Sequence, residues 1–237
     1  MARDAMERST PIFVITSLRP RVGKTLLARV LADFFRANDR AAAGFDVNPD
    51  SFSLAEYQPD TTLIGTISDT REQMALIDKL ILSDNAPKIV DLAHSLFNKF
   101  FAMLRDISFA EEARRTSIIP VVLFIAGTDL RSRQGYNMLR NSFPQFLVVP
   151  VFNHALPSIM LHRENFPAPA TLTFSTLSPV LKAVIDRPNF SFAALACTPV
   201  DTSNELYLWT RRLFLQFREL ELRLLLEELK PDLQIQN

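Results

Sequence analysis

Short apolar runs alternate along this chain with stretches long enough for helices. Residues 11–16 (Pro-Ile-Phe-Val-Ile-Thr) are few and rich in β-branched side chains, the pattern of a strand buried on both faces. After a turn over residues 17–23, residues 24–37 place Leu27, Val30, Leu31 and Phe34 on one face of a helix. Residues 41–45 predict a second strand ending at Asp46, and residues 61–67 a weaker third. Asp69, three positions before Glu72, predicts an acidic helix cap. Residues 87–91, 118–126 and 146–152 predict further buried strands, and residues 171–174 an edge strand. Helical sequence continues from the first of these to about Arg115, and a helix over 129–141 separates the next two. Residues 204–229 predict a long amphipathic helix. Leu206, Trp209, Leu213, Phe217, Leu220 and Leu224 share one side, with Leu215, Leu222, Leu226 and Leu229 on another.

Strands alternating with helices predict an α/β fold, a mostly parallel sheet with helices on both faces. Ligands of such sheets bind beyond the carboxyl ends of the strands. The polar residues that end the runs, Ser17, Asp46, Asp91, Thr128 and Asn153, are therefore the first candidates for function. The proline-rich residues 157–169 read as a surface loop. We expect a flexible segment over residues 1–10 and a single domain over 11–237 that ends in the long helix.

Composition narrows the classes. At 237 residues with 48% apolar side chains, nineteen of all residues being phenylalanine, the chain can bury a large core and is not disordered. Its 26 basic and 26 acidic residues cancel, which argues against coating DNA or anionic membrane by bulk attraction. The lone Cys197 excludes an internal disulfide framework, and His94, His154 and His162 lack metal-ligand spacing. Neither a secretory leader nor a membrane span is legible, so a cytoplasmic protein is expected. The long helix has mixed charges rather than the cationic face of a membrane-targeting helix; it reads as core, with a protein–protein contact as the second reading.

The strongest local signal is Ser17-Leu-Arg-Pro-Arg-Val-Gly-Lys-Thr25 between a strand and a helix. Backbone amides at such a junction converge on an anion, Lys24 adds charge, and the Thr25 hydroxyl can ligate magnesium. The ordinary motif has a glycine five residues before Gly23, at the position of Leu18.

The loop RPRVGKT, then FDVNPD beginning twenty-one residues after Lys24, then KIVDLAH, resembles the ParA/MinD family of deviant Walker-A ATPases. The resemblance covers residues 11–153 and implies a P-loop NTPase-like domain that binds ATP and Mg²⁺ and forms an ATP-dependent homodimer. It puts Arg19 at the signature basic residue that reaches the partner's phosphates, and Arg21, Val22, Gly23, Lys24 and Thr25 on the phosphate loop. Asp46 and Asp91, with Thr25, fall at the magnesium end, and Pro49 on the proline of the second motif. Asn153, in VVPVFNH, falls where the family contacts adenine. Lys24, Asn48 and Arg19 take the catalytic positions.

Three departures bear on activity. Pro20 lacks an N–H that could face phosphate. Arg21 replaces a glycine where positive φ is easily reached. Asn48 stands where the family has an aspartate that positions the attacking water, so slow hydrolysis is expected. The alternatives are a pseudo-ATPase kept as a protein-interaction module, and a small-molecule kinase with residues 157–169 as its lid. A protein partner is expected on the first two readings.

Overall fold

A computed structural model of the chain describes residues 9–48, 53–156, 163–188, 190–198 and 203–234. Its centre is a seven-stranded sheet in which every neighbouring pair is parallel. The strands are β1 (Thr10–Thr16), β2 (Ala43–Val47), β3 (Thr62–Ile64), β4 (Lys88–Leu92), β5 (Ile118–Ile125), β6 (Leu147–Asn153) and β7 (Leu172–Phe174), ordered β3-β2-β4-β1-β5-β6-β7. The chain places β2 to β4 on one side of β1 and β5 to β7 on the other. The strand order therefore reverses at β1, and the crevice at its carboxyl end is where such folds take ligands.

Alternation along β1 divides the core. Ile12 and Val14 join the layer formed by α3 (Thr70–Leu80), α4 (Phe97–Asp106), α5 (Phe109–Arg115) and α6 (Leu130–Ser142). Phe13 and Ile15 join the opposite layer of α1 (Lys24–Arg36), α7 (Pro179–Ile185), α8 (Phe192–Cys197) and α9 (Glu205–Gln234), with Leu54 of the one-turn helix α2 (Leu54–Tyr57). Helices cover both faces, as the alternation of runs predicts. Phenylalanines fill each layer: Phe97, Phe101, Phe143 and Phe146 touch in series at 4.8–5.6 Å on one side. Phe34 meets Phe214 and Phe217 at 5.5 and 5.6 Å on the other.

Pro120 and Pro150 lie inside strands, where a missing N–H is costly. Each sits just before the next strand begins to pair: β6 joins β5 from Val121, and β7 joins β6 from Val151. The β7 edge is closed by a side chain. The Gln216 amide accepts from the Thr173 N–H at 2.7 Å and donates to its carbonyl at 2.8 Å, standing in for an eighth strand.

Several boundaries move. β2 runs over Ala43–Val47 rather than 41–45, because Asp46 itself lies in the ladder, opposite Asp91 of β4 and Ile64 of β3. The helical stretch ending at Arg115 is two helices, broken at Ser108 with φ 52°. Asp69 caps α3 as expected, accepting from the Glu72 N–H at 2.9 Å. Helices α7 and α8 were not legible in the sequence. The predicted inner side of α9 is buried, while Leu215, Leu222 and Leu226 of its other side are exposed. Pro49, His162 and the Leu229 side chain lie outside the described residues, as do residues 157–162 of the proline-rich loop. Among the described residues no helix is long and apolar enough to cross a membrane.

Candidate functional site

The loop after β1 is anchored at both ends. The buried Ser17 hydroxyl donates to the Ile125 carbonyl at 2.9 Å, tying the end of β1 to the end of β5. Leu18 is buried rather than turned to a ligand. A Cβ on Gly135 would stand 2.2 Å from its Cδ1, so the glycine of α6 makes the room that Leu18 fills. At the other end Gly23 has φ 96° and caps α1. A side chain there would meet Phe174 at 3.1 Å and Asn153 at 3.2 Å as well as the unfavourable φ, so two constraints select glycine. Arg21 takes φ 55° despite its side chain, a conformation that costs roughly 1–2 kcal/mol outside glycine.

Lys24 is buried as the first residue of α1, and its ammonium lies 3.5 Å from the Arg19 carbonyl. Thr25 follows, and its hydroxyl donates to Asp91 Oδ2 at 2.6 Å. Asp91 is fully buried, and its Oδ1 has no hydrogen-bond partner. Burial pushes this carboxyl up to about 6; the Thr25 hydrogen bond opposes the rise, the nearby Asp46 charge adds to it and Lys24 opposes it. An orphaned carboxylate oxygen beside a hydroxyl at a helix N-terminus is a donor set suited to a hard divalent cation or its bound water. The residues present fit a magnesium–phosphate group at this end.

Asp46 sits beside Asp91 across the β2–β4 ladder. Its two oxygens accept from the Asn48 N–H at 3.1 Å and the Ala55 N–H at 2.8 Å, so it also closes the loop after β2. Asn153 is drawn to the loop after β1: its amide donates to the Val22 carbonyl at 2.9 Å and accepts from the Ala155 N–H at 2.8 Å. The structure thus brings Val22, Gly23 and Asn153 together, and Lys24, Thr25, Asp46 and Asp91 together. Arg21 is exposed on the outer turn, and the Asn48 backbone is held by Asp46.

Arg19 points across the mouth of the crevice. Its Nε donates to Asp129 Oδ2 at 2.5 Å. Asp129 also caps α6 by accepting from the Ser132 N–H at 3.0 Å. Partial burial would raise the Asp129 carboxyl, but the Ser132 and Arg19 hydrogen bonds outweigh it and hold it below the usual carboxylate range. Under this pair lies a cavity of about 530 Å³ lined by Leu18, Arg19, Val22, His94, Asp129 and Arg131 among others.

Sequence reasoning assigned His94 no chemistry and read Asp129 only as a helix start. Asp129 three residues ahead of Ser132 announced the cap, but its partner lies 110 residues away and left no local signal. No family model matches the chain, and no curated protein matches it by sequence.

Proposed function

We propose that the chain is a P-loop NTPase-like nucleotide switch that binds ATP with Mg²⁺, dimerises on ATP and hydrolyses it slowly. The carrying observation is the 2.6 Å bond from Thr25 to a buried Asp91 whose second oxygen has no donor. On this reading Lys24 and the amides of Arg21, Val22 and Gly23 hold the phosphates at the N-terminus of α1. Thr25 and Asp91, with Asp46 behind them, hold Mg²⁺. ATP, when bound, supplies a phosphoryl group for transfer to water. Asn48 orients that water without carrying a negative charge, Asn153 faces the adenine, and Arg19 leaves Asp129 to reach the phosphates of a second protomer. The resemblance to ParA/MinD ATPases supports the order of these roles.

Calorimetry with Mg-ATP tests the reading: saturable binding is expected for the unaltered chain and none for Lys24→Ala. No binding at millimolar ATP would overturn it. A specific observation favours the pseudo-ATPase as second reading. Both polar ends of the Asn153 amide are already engaged, and Pro20 offers the loop no N–H.

A further inference from the structure

The cavity beneath the Arg19–Asp129 bridge is a space the nucleotide reading leaves unfilled. Its volume of about 530 Å³ lies within the range of small-molecule sites, and it opens at the carboxyl end of β5, beside the reversal of strand order at β1. Of the loop after β1 it touches Leu18, Arg19, Pro20 and Val22. Gly23, Lys24, Thr25, Asp46, Asp91 and Asn153 are not among its lining, so it lies apart from the inner end of that loop. Gly127 makes room for the bridge above it: a Cβ there would stand 2.9 Å from Asp129 Oδ2 and 3.3 Å from Arg19 Cδ.

Two polar side chains of the lining are uncommitted. His94 is half-buried and Arg131 is exposed, and among the described residues neither side chain has a hydrogen bond or an ion pair. Arg19 and Asp129 cancel each other, so Arg131 leaves the lining with one unbalanced positive charge. The first turn of α6 carries Arg131 and Arg133 and no acid, the reverse of the charge that a helix N-terminus favours. Its cap, Asp129, is already engaged by Ser132 and Arg19.

We propose that this cavity binds a small organic monoanion, a carboxylate whose apolar body lies against Leu18, Val22 and Leu156. The Arg131 guanidinium takes the two carboxylate oxygens as a fork, and the His94 imidazole and Thr128 hydroxyl donate beside it. One unbalanced cation matches one negative charge. A phosphate dianion would exceed it and would also meet the Asp129 carboxylate. His94, Thr128 and Arg131 have no part in the nucleotide reading, so the site stands or falls independently of the proposed function.

Calorimetry of the full chain with 2-naphthoate, in EDTA and without nucleotide, provides the test. Saturable binding is expected with a dissociation constant of about a millimolar or tighter. The amide of the same shape, 2-naphthamide, should bind about tenfold more weakly because it lacks the charge. Arg131→Gln should weaken naphthoate about tenfold and leave naphthamide unchanged. Thr128→Trp, which fills the cavity from an exposed position, should abolish the binding of both. The two substituted positions are exposed, so unchanged circular dichroism and thermal midpoints will establish that the variants fold. No saturable binding of naphthoate overturns the proposal, as does equal affinity for acid and amide, or naphthoate binding indifferent to either variant. Displacement of naphthoate by an equal concentration of inorganic phosphate, or its loss in Lys24→Ala, assigns the anion to the start of α1 and also refutes the carboxylate site.

Discussion

Replacing Asp91 by asparagine separates what the buried carboxylate costs the fold from what it does for a ligand. Burial pushes the carboxyl up to about 6 in the folded chain, well above the ordinary aspartate range of the unfolded one. The folded state therefore holds the proton more tightly than the unfolded state, and ionisation costs stability. The contribution is most favourable below pH 4 and is lost as the pH rises through about 6. The gap between the folded and unfolded values corresponds to ~3 kcal/mol of lost stability at pH 8. Asparagine carries no charge and is free of that loss at every pH. Its amide N–H would itself lack a partner in a buried place, which costs about 1–3 kcal/mol regardless of pH.

The absolute effect of the substitution is therefore a poor test, and its pH dependence a good one. Integrating the two titrations, the stability of Asp91→Asn relative to the unaltered chain should improve by about 1.5 kcal/mol between pH 5 and pH 8. Urea denaturation at both pH values, without Mg²⁺ or nucleotide, measures it from the midpoints at constant slope. The ligand-bound comparison should run the other way. Mg-ATP at ~100 times its dissociation constant adds about 2.7 kcal/mol to the unaltered chain at pH 8, and much less to the variant. A difference between the two proteins that is flat from pH 5 to 8, or that grows as the pH falls, would falsify the account of Asp91 as a carboxylate held charged against its surroundings.

Three further outcomes follow from named contacts. Asn48→Asp should raise phosphate release by roughly 10²–10³, the usual scale for one preorganised charged group, with Lys24→Ala subtracted as background; equal rates would remove Asn48 from the list of handicaps. Gly135→Ala should cost about 1–3 kcal/mol in urea denaturation, because its Cβ would fall 2.2 Å from Leu18 Cδ1, and adding Leu18→Ala should recover part of the loss. Gln216→Leu should lower stability by about 1–3 kcal/mol and increase light scattering on mild heating, since it reopens the β7 edge at Thr173; unchanged scattering would show that other features protect that edge.

The strands were legible because burial on both faces compresses the pattern into short apolar runs that few other structures share. Their frame was less so. Nothing local says that Asp46 belongs inside β2; that is decided by its pairing with Asp91 and Ile64 across three strands. The helix α1 was read as having one apolar face, yet Arg29 and Asp33 on its other side are 3% and 1% exposed. Arg29 stacks on Tyr57 at 3.7 Å and donates to the Ile185 carbonyl, and Asp33 accepts from the Phe192 and Ala193 N–H groups at the start of α8. Ser191 caps the Ala194 N–H locally, but the first two N–H groups of helix α8 are satisfied by a residue 159 positions before Phe192. A six-residue helix held in this way carries too little of its own signal to be read. In the site, Lys24, Thr25 and Asp91 were legible because a strand–loop–helix junction and the next strand ends fix their spacing. The Arg19–Asp129 bridge was not, because it depends on where β5 falls relative to β1.

The loop's departures from a glycine-rich sequence divide by position, and the division bears on how much nucleotide chemistry survives. Leu18 is buried against Gly135, so this position belongs to the core of the α6 layer rather than to the crevice. Pro20 and Arg21 occupy the exposed outer turn. There Pro20 offers no N–H donor, and Arg21 takes the left-handed turn with φ 55° although it is not glycine. The inner end departs least: Gly23 keeps its positive φ, Lys24 is buried, and Thr25 engages Asp91. On the proposed reading, the outer turn and the Asn48 side chain would arrange a terminal phosphate and its water, whereas the inner end would hold phosphate and metal. Damage confined to the outer half lowers turnover before it lowers binding, which is why the proposed switch is a slow one rather than an empty one.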